Sequence, residues 1–316
     1  MSSSSRLCRE DFDGGPVSLD LIEPFLFLGN LTAATSVETL TSHKITRILT
    51  LDTVPLPSKI LEMPHINCKY VQISDLTKED ILPFLVGCTE FIRDAVEKEE
   101  NVLVHCYFGV SRSSTAVIAY VMKSHQIDYN QAFELVKSKR KFVQPNNGFI
   151  RQLKLFHRMN YRIDENYLKY KIYRLKSVGN QVSKVKILPQ RCIEVVKPDP
   201  GITQENPEPI VYRCKKCRRI LASQSNLLPH NDKSLVSAEK TPCKSLIFVE
   251  PIAWMKDIHR EVQGRLNCPK CSQKLGSYTW INGLNCPCGK EISPAFYMVP
   301  SKVELSRIVQ NVERTF

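Results

Sequence analysis

The residues with the clearest chemical potential lie in one segment, VLVHCYFGVSRSS, at positions 102–114. An apolar strand is predicted to end at His105, and a five-residue loop then connects Cys106 to Arg112 at the start of a helix. A loop that closes on a helix N-terminus points backbone N–H groups inward, and such an arrangement binds phosphoryl groups. The helix dipole and the neighbouring histidine favour the thiolate form of Cys106, which is the nucleophilic form. The segment therefore predicts a phosphate pocket with a cysteine nucleophile.

The other residues of this loop have distinct predicted roles. Arg112 can bind two phosphoryl oxygens with its planar guanidinium, and Gly109 permits backbone angles that other residues rarely adopt. Ser113 is predicted to hydrogen-bond the sulfur and to ease its departure when water cleaves a thiophosphoryl intermediate. The loop residues whose backbone is predicted to bind phosphate, together with Arg112, are Tyr107, Phe108, Gly109, Val110 and Ser111. The alternative interpretation is a buried cysteine at a strand end, beside a histidine of the core.

The elements that position this loop follow from the hydrophobic periodicity. The runs LIEPFLFLGN, ITRILTLD, INCKYVQIS and NVLVHC are typical of strands. Helices are predicted over residues 80–100, 113–125, 129–141 and 147–161. Interleaved strands and helices predict a compact α/β domain over residues 16–165, in which helices flank a central sheet.

The loop sequence also resembles a known signature. HCYFGVSRS is similar to the HCxxGxSR(S/T) motif of the cysteine-dependent protein tyrosine phosphatases, and the compact domain resembles their dual-specificity class. The resemblance implies hydrolysis of phosphoserine, phosphothreonine and phosphotyrosine in phosphoprotein substrates, without a catalytic metal. Phe108 departs from the family pattern, in which this position is commonly alanine. Its ring is expected either to bias substrate choice or to pack outward.

The resemblance further implies a general acid, because a serine alkoxide leaves poorly unless its oxygen is protonated. Asp75, in YVQISDLTKED, lies 31 residues before Cys106 and matches the acid-loop aspartate of the family. Asp80 is the alternative, but it lies at a predicted helix start and is better explained as a cap or first-turn acid. PNNGFIRQL resembles the family segment in which an asparagine, here Asn147, braces the active-site loops; a simple helix N-cap is the other reading of this residue.

Of the cysteines outside the loop, Cys8, Cys68, Cys88 and Cys192 are scattered and the others are clustered. Cys68 and Cys88 belong to the first half of the chain, where they are either redox partners of Cys106 or small core residues. Seven of the twelve cysteines instead lie between positions 214 and 288. Because no secretory signal is evident, a reducing compartment is expected, and metal ligation is favoured over disulfides.

The clustered cysteines predict a small β-rich domain with two structural zinc sites. Two CxxC pairs, one CxC pair, one single cysteine and one histidine supply eight ligands, which fill two closed tetrahedral sites. The candidates are Cys214, Cys217, His230, Cys243, Cys268, Cys271, Cys286 and Cys288. His259 competes for the histidine position, but its helical or surface pattern favours His230. The expected pairing joins the two CxxC pairs around one Zn²⁺ and the remaining four ligands around the other, although linear spacing leaves this open.

The net charge of +12 is concentrated in the second half of the chain. Residues 1–161 contain 18 Lys+Arg and 18 Asp+Glu, whereas residues 209–316 contain 17 and 8. A basic field favours an anionic partner such as nucleic acid, a ribonucleoprotein or an acidic protein face, and a solubility surface is the alternative. No apolar run approaches the ~20 residues that span a bilayer, so no membrane partner is expected.

The predicted organisation is a flexible N-terminus (1–15), a phosphatase domain (16–165), a linker (166–208), a two-zinc domain (209–300) and a C-terminal tail (301–316). The linker is predicted because the segment is Lys-rich and ends in KPDPGITQENPEP. CRRIL, LLPH, CKSLIFVEPIAWM, LNCPKCSQKLGSYTW and CPCGKEISPAF resemble the zinc-binding members of the dual-specificity family. This resemblance supports His230 as a ligand. It also implies a cytoplasmic and nuclear protein whose zinc domain acts in maturation of the large ribosomal subunit. The alternative is an assembly or phosphate-binding adaptor in which catalysis is dispensable.

Overall fold

The computed structural model of the chain describes residues 15–202, 208–231 and 243–307. The chain divides into two compact units, and the boundary lies between Asp164 and Glu165. None of the helices in these ranges is long and apolar enough to cross a membrane. The predicted flexible N-terminus lies outside the described residues, apart from Gly15.

A five-stranded sheet forms the centre of the N-terminal unit. Its strands are Leu19–Glu23 (β1), Leu26–Gly29 (β2), Ile45–Asp52 (β3), Asn67–Gln72 (β4) and Asn101–His105 (β5). The order is β1-β2-β5-β3-β4, with β1 and β2 antiparallel and all other neighbours parallel. β3 and β5 are almost entirely buried, as expected for central parallel strands covered on both faces. The carboxyl ends of β3 and β5 therefore meet at one edge of the sheet.

Seven helices accompany this sheet in the described part of the N-terminal unit. They are Leu31–Thr35 (α1), Val37–Ser42 (α2), Ser58–Leu61 (α3), Leu82–Glu97 (α4), Arg112–His125 (α5), Tyr129–Lys139 (α6) and Asn147–Arg158 (α7). α5 is buried from its first residue through Met122. The mixed α/β prediction is confirmed, and the four helices predicted from periodicity end within three residues of the observed bounds.

Short antiparallel strands dominate the C-terminal unit. They are Ile210–Cys214 (β6), Ile220–Ser223 (β7), Ile247–Phe248 (β8), Gln263–Asn267 (β9), Lys274–Thr279 (β10), Leu284–Asn285 (β11), Glu291–Ile292 (β12), Ala295–Met298 (β13) and Val303–Arg307 (β14). They form the sheets β8-β13-β10-β9 and β14-β6-β7 and the pair β11-β12. β14 lies in the segment predicted as a tail; residues 308–316 are outside the described ranges.

The segment predicted as a linker contains the helix Leu168–Val185 (α8). Leu175, Val178 and Val182 on this helix belong to the same hydrophobic core as Trp280, which directly follows β10. Lys171 forms a buried ion pair with Glu250, with 2.9 Å between Nζ and Oε2. The structure thus differs from the prediction of a linker, because apolar residues at helical spacing form a buried face while Lys169, Lys176 and Lys184 are exposed.

Candidate functional site

The predicted phosphate loop connects β5 to α5 at the carboxyl edge of the sheet. Cys106 is buried at its start, and its Sγ accepts hydrogen bonds from the Gly109 backbone N–H at 3.3 Å and from Ser113 Oγ at 3.1 Å. Donors directed at a sulfur stabilise negative charge on it. The loop therefore holds Cys106 in surroundings suited to a thiolate.

Arg112 lies at the N-terminus of α5, and its guanidinium is held by groups at the ends of β3 and β4. Its Nη1 donates to Asp52 Oδ1 at 2.6 Å and to the Ile73 carbonyl at 3.4 Å. Its buried Nε has no hydrogen-bond partner among the described residues. Because Nη1 is occupied by protein groups and Nε is not, the guanidinium retains donor capacity for an anion such as phosphate.

Asp52 was missed by the sequence analysis. It is the last residue of β3, and its carboxylate accepts from both Arg112 and the Thr53 backbone N–H, the latter at 2.7 Å. The available signal was its position, since an acidic residue at the carboxyl end of an apolar parallel strand lies at the edge where such sheets bind ligands.

Asp75 lies three residues beyond β4 and is connected to the phosphate loop by its side chain. Its Oδ1 accepts from Ser111 Oγ at 2.7 Å and from Asn146 Nδ2 at 2.8 Å. The Asn146 backbone N–H in turn donates to Ser111 Oγ at 3.0 Å. These contacts bring the predicted general acid to the loop that carries Cys106.

Asp80 is not the cap of α4. The helix begins at Leu82, and the backbone N–H groups of Ile81 and Leu82 donate to Gln152 Oε1 at 2.8 and 2.9 Å. A side chain from α7 therefore supplies the acceptor that the sequence analysis assigned to Asp80.

The bracing asparagine is Asn146, one residue before the predicted Asn147. Asn146 is the N-cap of α7; its Oδ1 accepts from the Phe149 N–H at 3.0 Å while its Nδ2 donates to Asp75. Asn147 is the first residue inside the helix. The prediction was wrong by one position. The sequence does not distinguish two adjacent asparagines, but only the side chain at the N-cap turns back toward the preceding loop.

His105 and the outer loop residues shape the backbone around the pocket. The fully buried His105 ring lies 2.8 Å from Thr50 Oγ1 through Nε2 and 3.3 Å from the Cys106 carbonyl through Nδ1. The Tyr107 carbonyl accepts from the Leu31 N–H, and the Val110 carbonyl accepts from the Gln144 N–H. Phe108 is exposed, so its ring packs outward and does not fill the pocket.

Arg140 is a second residue that the sequence analysis missed. It is fully buried, and it donates from Nε to the Gly109 carbonyl at 2.9 Å and from Nη2 to the Phe108 carbonyl at 3.3 Å. Burial lowers its pKa, and the ion pair with Asp20 opposes this shift. Arg140 therefore fixes two carbonyls of the loop from outside. Its position in the Lys-rich run KSKRKF gave no signal of this contact.

The eight predicted zinc ligands form two groups in the C-terminal unit. Within each group the ligand atoms all lie within 4.8 Å of one another. One group contains Cys214, Cys217, Cys268 and Cys271, and the other contains His230, Cys243, Cys286 and Cys288. The grouping is the one expected from the sequence, and it includes His230 and not His259.

The separations within these groups suit a tetrahedral metal. The Sγ atoms of Cys214 and Cys271 are 3.7 Å apart, and those of Cys217 and Cys268 are 3.5 Å apart. In the second group Cys243 and Cys286 are 3.7 Å apart. Four sulfurs at about 2.3 Å from a zinc ion would be separated by about 3.8 Å, whereas a disulfide requires about 2.05 Å. The donor set and its spacing therefore fit zinc.

Known proteins are similar to this chain along most of its length. Residues 26–159 match the family model described as dual specificity phosphatase, catalytic domain. The chain is 53% identical to dual specificity protein phosphatase MPK-4 of Drosophila melanogaster, over 99% of this chain and 94% of the relative. It is 35% identical to dual specificity protein phosphatase 12 of Mus musculus, over 90% of this chain and 87% of the relative. The crystal structure of the Yvh1 phosphatase domain from Chaetomium thermophilum is 30% identical, over 47% of this chain and all of that chain, with a TM-score of 0.43.

Proposed function

This chain belongs to the dual specificity protein phosphatases and is a protein tyrosine, serine and threonine phosphatase, and we propose that it acts through a cysteinyl-phosphate intermediate on Cys106. The observation that carries this proposal is the surroundings of Cys106 Sγ, which accepts from Gly109 N–H and Ser113 Oγ at the N-terminus of α5. A sulfur held in this way is a nucleophile at the floor of an anion site.

In the first step, Cys106 Sγ attacks phosphorus and the bond from phosphorus to the substrate oxygen breaks. Asp75, held beside the loop by Ser111 and Asn146, donates its proton to the departing oxygen. The loop N–H groups and Arg112 Nε bind the phosphoryl oxygens, whose charge grows in the transition state. No metal takes part in this step.

In the second step, water attacks phosphorus and the bond from sulfur to phosphorus breaks. The Asp75 carboxylate, deprotonated by the first step, accepts the proton of this water. Ser113 Oγ donates to the departing sulfur, which makes the thiolate a better leaving group. Inorganic phosphate then leaves and Cys106 is again a thiolate.

For the C-terminal unit, two structural Zn²⁺ ions are part of the proposal. Four ligands per group leave no open coordination position, so the ions would stabilise the fold and would not activate water. The basic charge of this half, 17 Lys+Arg against 8 Asp+Glu in residues 209–316, supports docking on an anionic partner. Pre-ribosomal particles in the cytoplasm and nucleus are the proposed partner. Catalysis is dispensable for docking in the alternative, in which the protein is an assembly adaptor.

Two substitutions test the chemistry. Cys106→Ser is expected to lower hydrolysis of an aryl phosphate at least 10³-fold, and Cys68→Ser, on β4, is the control that leaves it intact.

Asp75→Asn is expected to slow hydrolysis of a phosphoserine peptide far more than that of nitrophenyl phosphate, because nitrophenolate leaves without a proton. Asp80→Asn is the matched control.

The same Cys106→Ser protein tests docking. It should co-sediment with pre-ribosomal particles as the wild type does and be released by salt, since the contact is electrostatic. Full hydrolysis of the aryl phosphate by Cys106→Ser would overturn the mechanism. Loss of co-sedimentation in Cys106→Ser would overturn the proposal that docking is independent of catalysis.

A further inference from the structure

Three large apolar side chains are exposed on the segments that build the phosphate pocket. Phe108 is 63% exposed, Leu76 is 61% exposed and Phe142 is 51% exposed. We refer to Leu76, Phe108 and Phe142 as the apolar rim. Exposed apolar residues are ordinary when they are scattered, but apolar residues on segments that build one binding site are a feature of interaction surfaces.

Each member of the rim is attached to a group that builds the pocket. Leu76 follows Asp75, whose carboxylate accepts from Ser111 Oγ at 2.7 Å. Phe108 is itself a loop residue, and its carbonyl accepts from Arg140. The three side chains are thus carried by the acid loop, the phosphate loop and the segment after α6, which converge on the same site.

The two aromatic rings are held in place before any ligand binds. The Phe108 ring packs edge to face on Tyr107, with 4.6 Å between ring centroids. The Arg140 guanidinium lies 4.2 Å from the centroid of the Phe142 ring and also binds the Phe108 and Gly109 carbonyls. Rings fixed by their supports lose little conformational entropy on contact with a partner, so their burial contributes efficiently to binding.

We propose that the apolar rim binds large apolar side chains directly next to the phosphorylated residue, so that phosphoprotein segments with apolar flanks are the preferred substrates. This inference rests on the proposed function, because the phosphorylated residue must enter the pocket. The occupant is a protein segment, since continuity with the pocket places the residues that flank the phosphoresidue against the rim. A leucine-sized side chain buried there should raise kcat/KM about tenfold.

The competing occupant is an acidic segment. Lys78 and Lys141 are exposed in the same two segments as Leu76 and Phe142. If these lysines dominated recognition, acidic flanks would be preferred over apolar flanks, and the preference would fall with added salt.

The test compares three phosphotyrosine peptides of equal length with identical polar ends. The residues on both sides of the phosphotyrosine are leucine, alanine or glutamate. The readout is kcat/KM with the full chain, expressed as the ratio of the leucine peptide to the alanine peptide. We expect a ratio of about ten or more in the wild type, falling toward one in Leu76→Ala and in Phe108→Ala.

The control is Val37→Ala, which removes a comparably exposed apolar side chain at the start of α2 and should keep the wild-type ratio. Because the readout is a ratio, a general loss of activity in Phe108→Ala does not affect the conclusion. Turnover of all three peptides with a ratio near one, or with glutamate preferred, overturns the inference and leaves the proposed function standing. If none of the peptides is hydrolysed, the proposed function fails and the inference fails with it.

Discussion

At the scale of single residues, burial decides whether the thiol of Cys88 can react. Cys88 is fully buried on α4, and this burial raises the pKa of its thiol to about 12, with Lys69 opposing the shift. A protonated thiol is a poor nucleophile and a poor redox partner. Of the two interpretations of Cys88, the structure therefore favours a small core residue over a partner of Cys106.

The raised pKa of Cys88 predicts a loss of stability at alkaline pH. The unfolded thiol ionises near pH 9 and the folded thiol near pH 12, so between these values the folded state binds more protons. The stabilisation is complete below pH 9 and falls by about 1.36 kcal/mol per pH unit above it. From pH 8 to pH 10.5 this amounts to about 2 kcal/mol.

This prediction is measured by urea unfolding followed by helical circular dichroism at the two pH values. Cys88→Ala should lose about 2 kcal/mol less than the wild type does between pH 8 and pH 10.5. Thr89→Ala, a buried neighbour without a titratable group, should keep the wild-type pH dependence. The same pH dependence in Cys88→Ala and in the wild type would contradict the role of this thiol.

The residues of the phosphate site that spacing alone predicted are those whose relation is local in the sequence, whereas Asp75 was predicted from the family resemblance. Cys106, Arg112 and Ser113 belong to one strand, loop and helix, so their spacing alone places them together. Asp52 and Arg140 reach the same loop from β3 and from the end of α6, and no spacing rule connects them to it. Their contacts depend on tertiary packing.

At the scale of elements, the phosphate loop depends on a glycine that has no room for a side chain. Gly109 adopts a φ of +70°, and a Cβ there would lie 2.5 Å from Arg140 Nη2 and 2.5 Å from the Gly29 carbonyl oxygen. The Gly109 N–H also donates to Cys106 Sγ. A side chain at this position would therefore displace both the arginine that supports the loop and the donor to the nucleophile.

Gly109→Ala is predicted to lower kcat/KM for an aryl phosphate at least 100-fold, mainly through kcat. Gly109→Ala combines two effects, which are backbone strain at a positive φ and the steric clash of the added Cβ. Gly15→Ala introduces only the strain, because Gly15 has a similar φ of +74° but no atom within 4 Å of a built Cβ. Backbone strain alone costs about 1 kcal/mol, so Gly15→Ala should retain activity within about twofold. Nearly full activity in Gly109→Ala would show that the loop tolerates the displacement.

Helices were predicted well where the hydrophobic residues recur at helical spacing within one continuous segment. The bounds of α4 to α7 agree closely with the prediction, but the strand order β1-β2-β5-β3-β4 is set by pairing between distant segments and was not predicted. The helix α8 was missed because lysines are frequent in the segment, while its buried face includes the apolar residues Leu175, Val178 and Val182. Composition describes the solvent-facing side of such a helix and not its packing.

At the scale of the whole molecule, each of the two units contains a hydrophobic cluster made of its own residues. One cluster contains residues of the C-terminal unit from Leu175 to Val303, and another lies within the N-terminal unit from Leu31 to Leu103. Both tryptophans of the chain are in the C-terminal core, where Trp254 Nε1 donates to the Leu221 carbonyl and Trp280 Nε1 to the Ile258 carbonyl. Tryptophan fluorescence therefore reports on the C-terminal unit, and hydrolysis reports on the N-terminal unit.

Zinc removal is predicted to unfold the C-terminal unit while the N-terminal unit keeps most of its hydrolytic activity. Closed zinc sites contribute on the order of 10 kcal/mol to the folding of a small unit. Metal analysis should give two Zn²⁺ per chain before chelation, and tryptophan emission should shift to longer wavelength as the metal leaves. Cys268→Ser should lose metal from its group, whereas Cys192→Ser, a buried cysteine of the same core outside both groups, should keep two ions. Fewer than two ions in the wild type would refute the ligand assignment, and a parallel loss of hydrolysis on chelation would show that the two units do not fold independently.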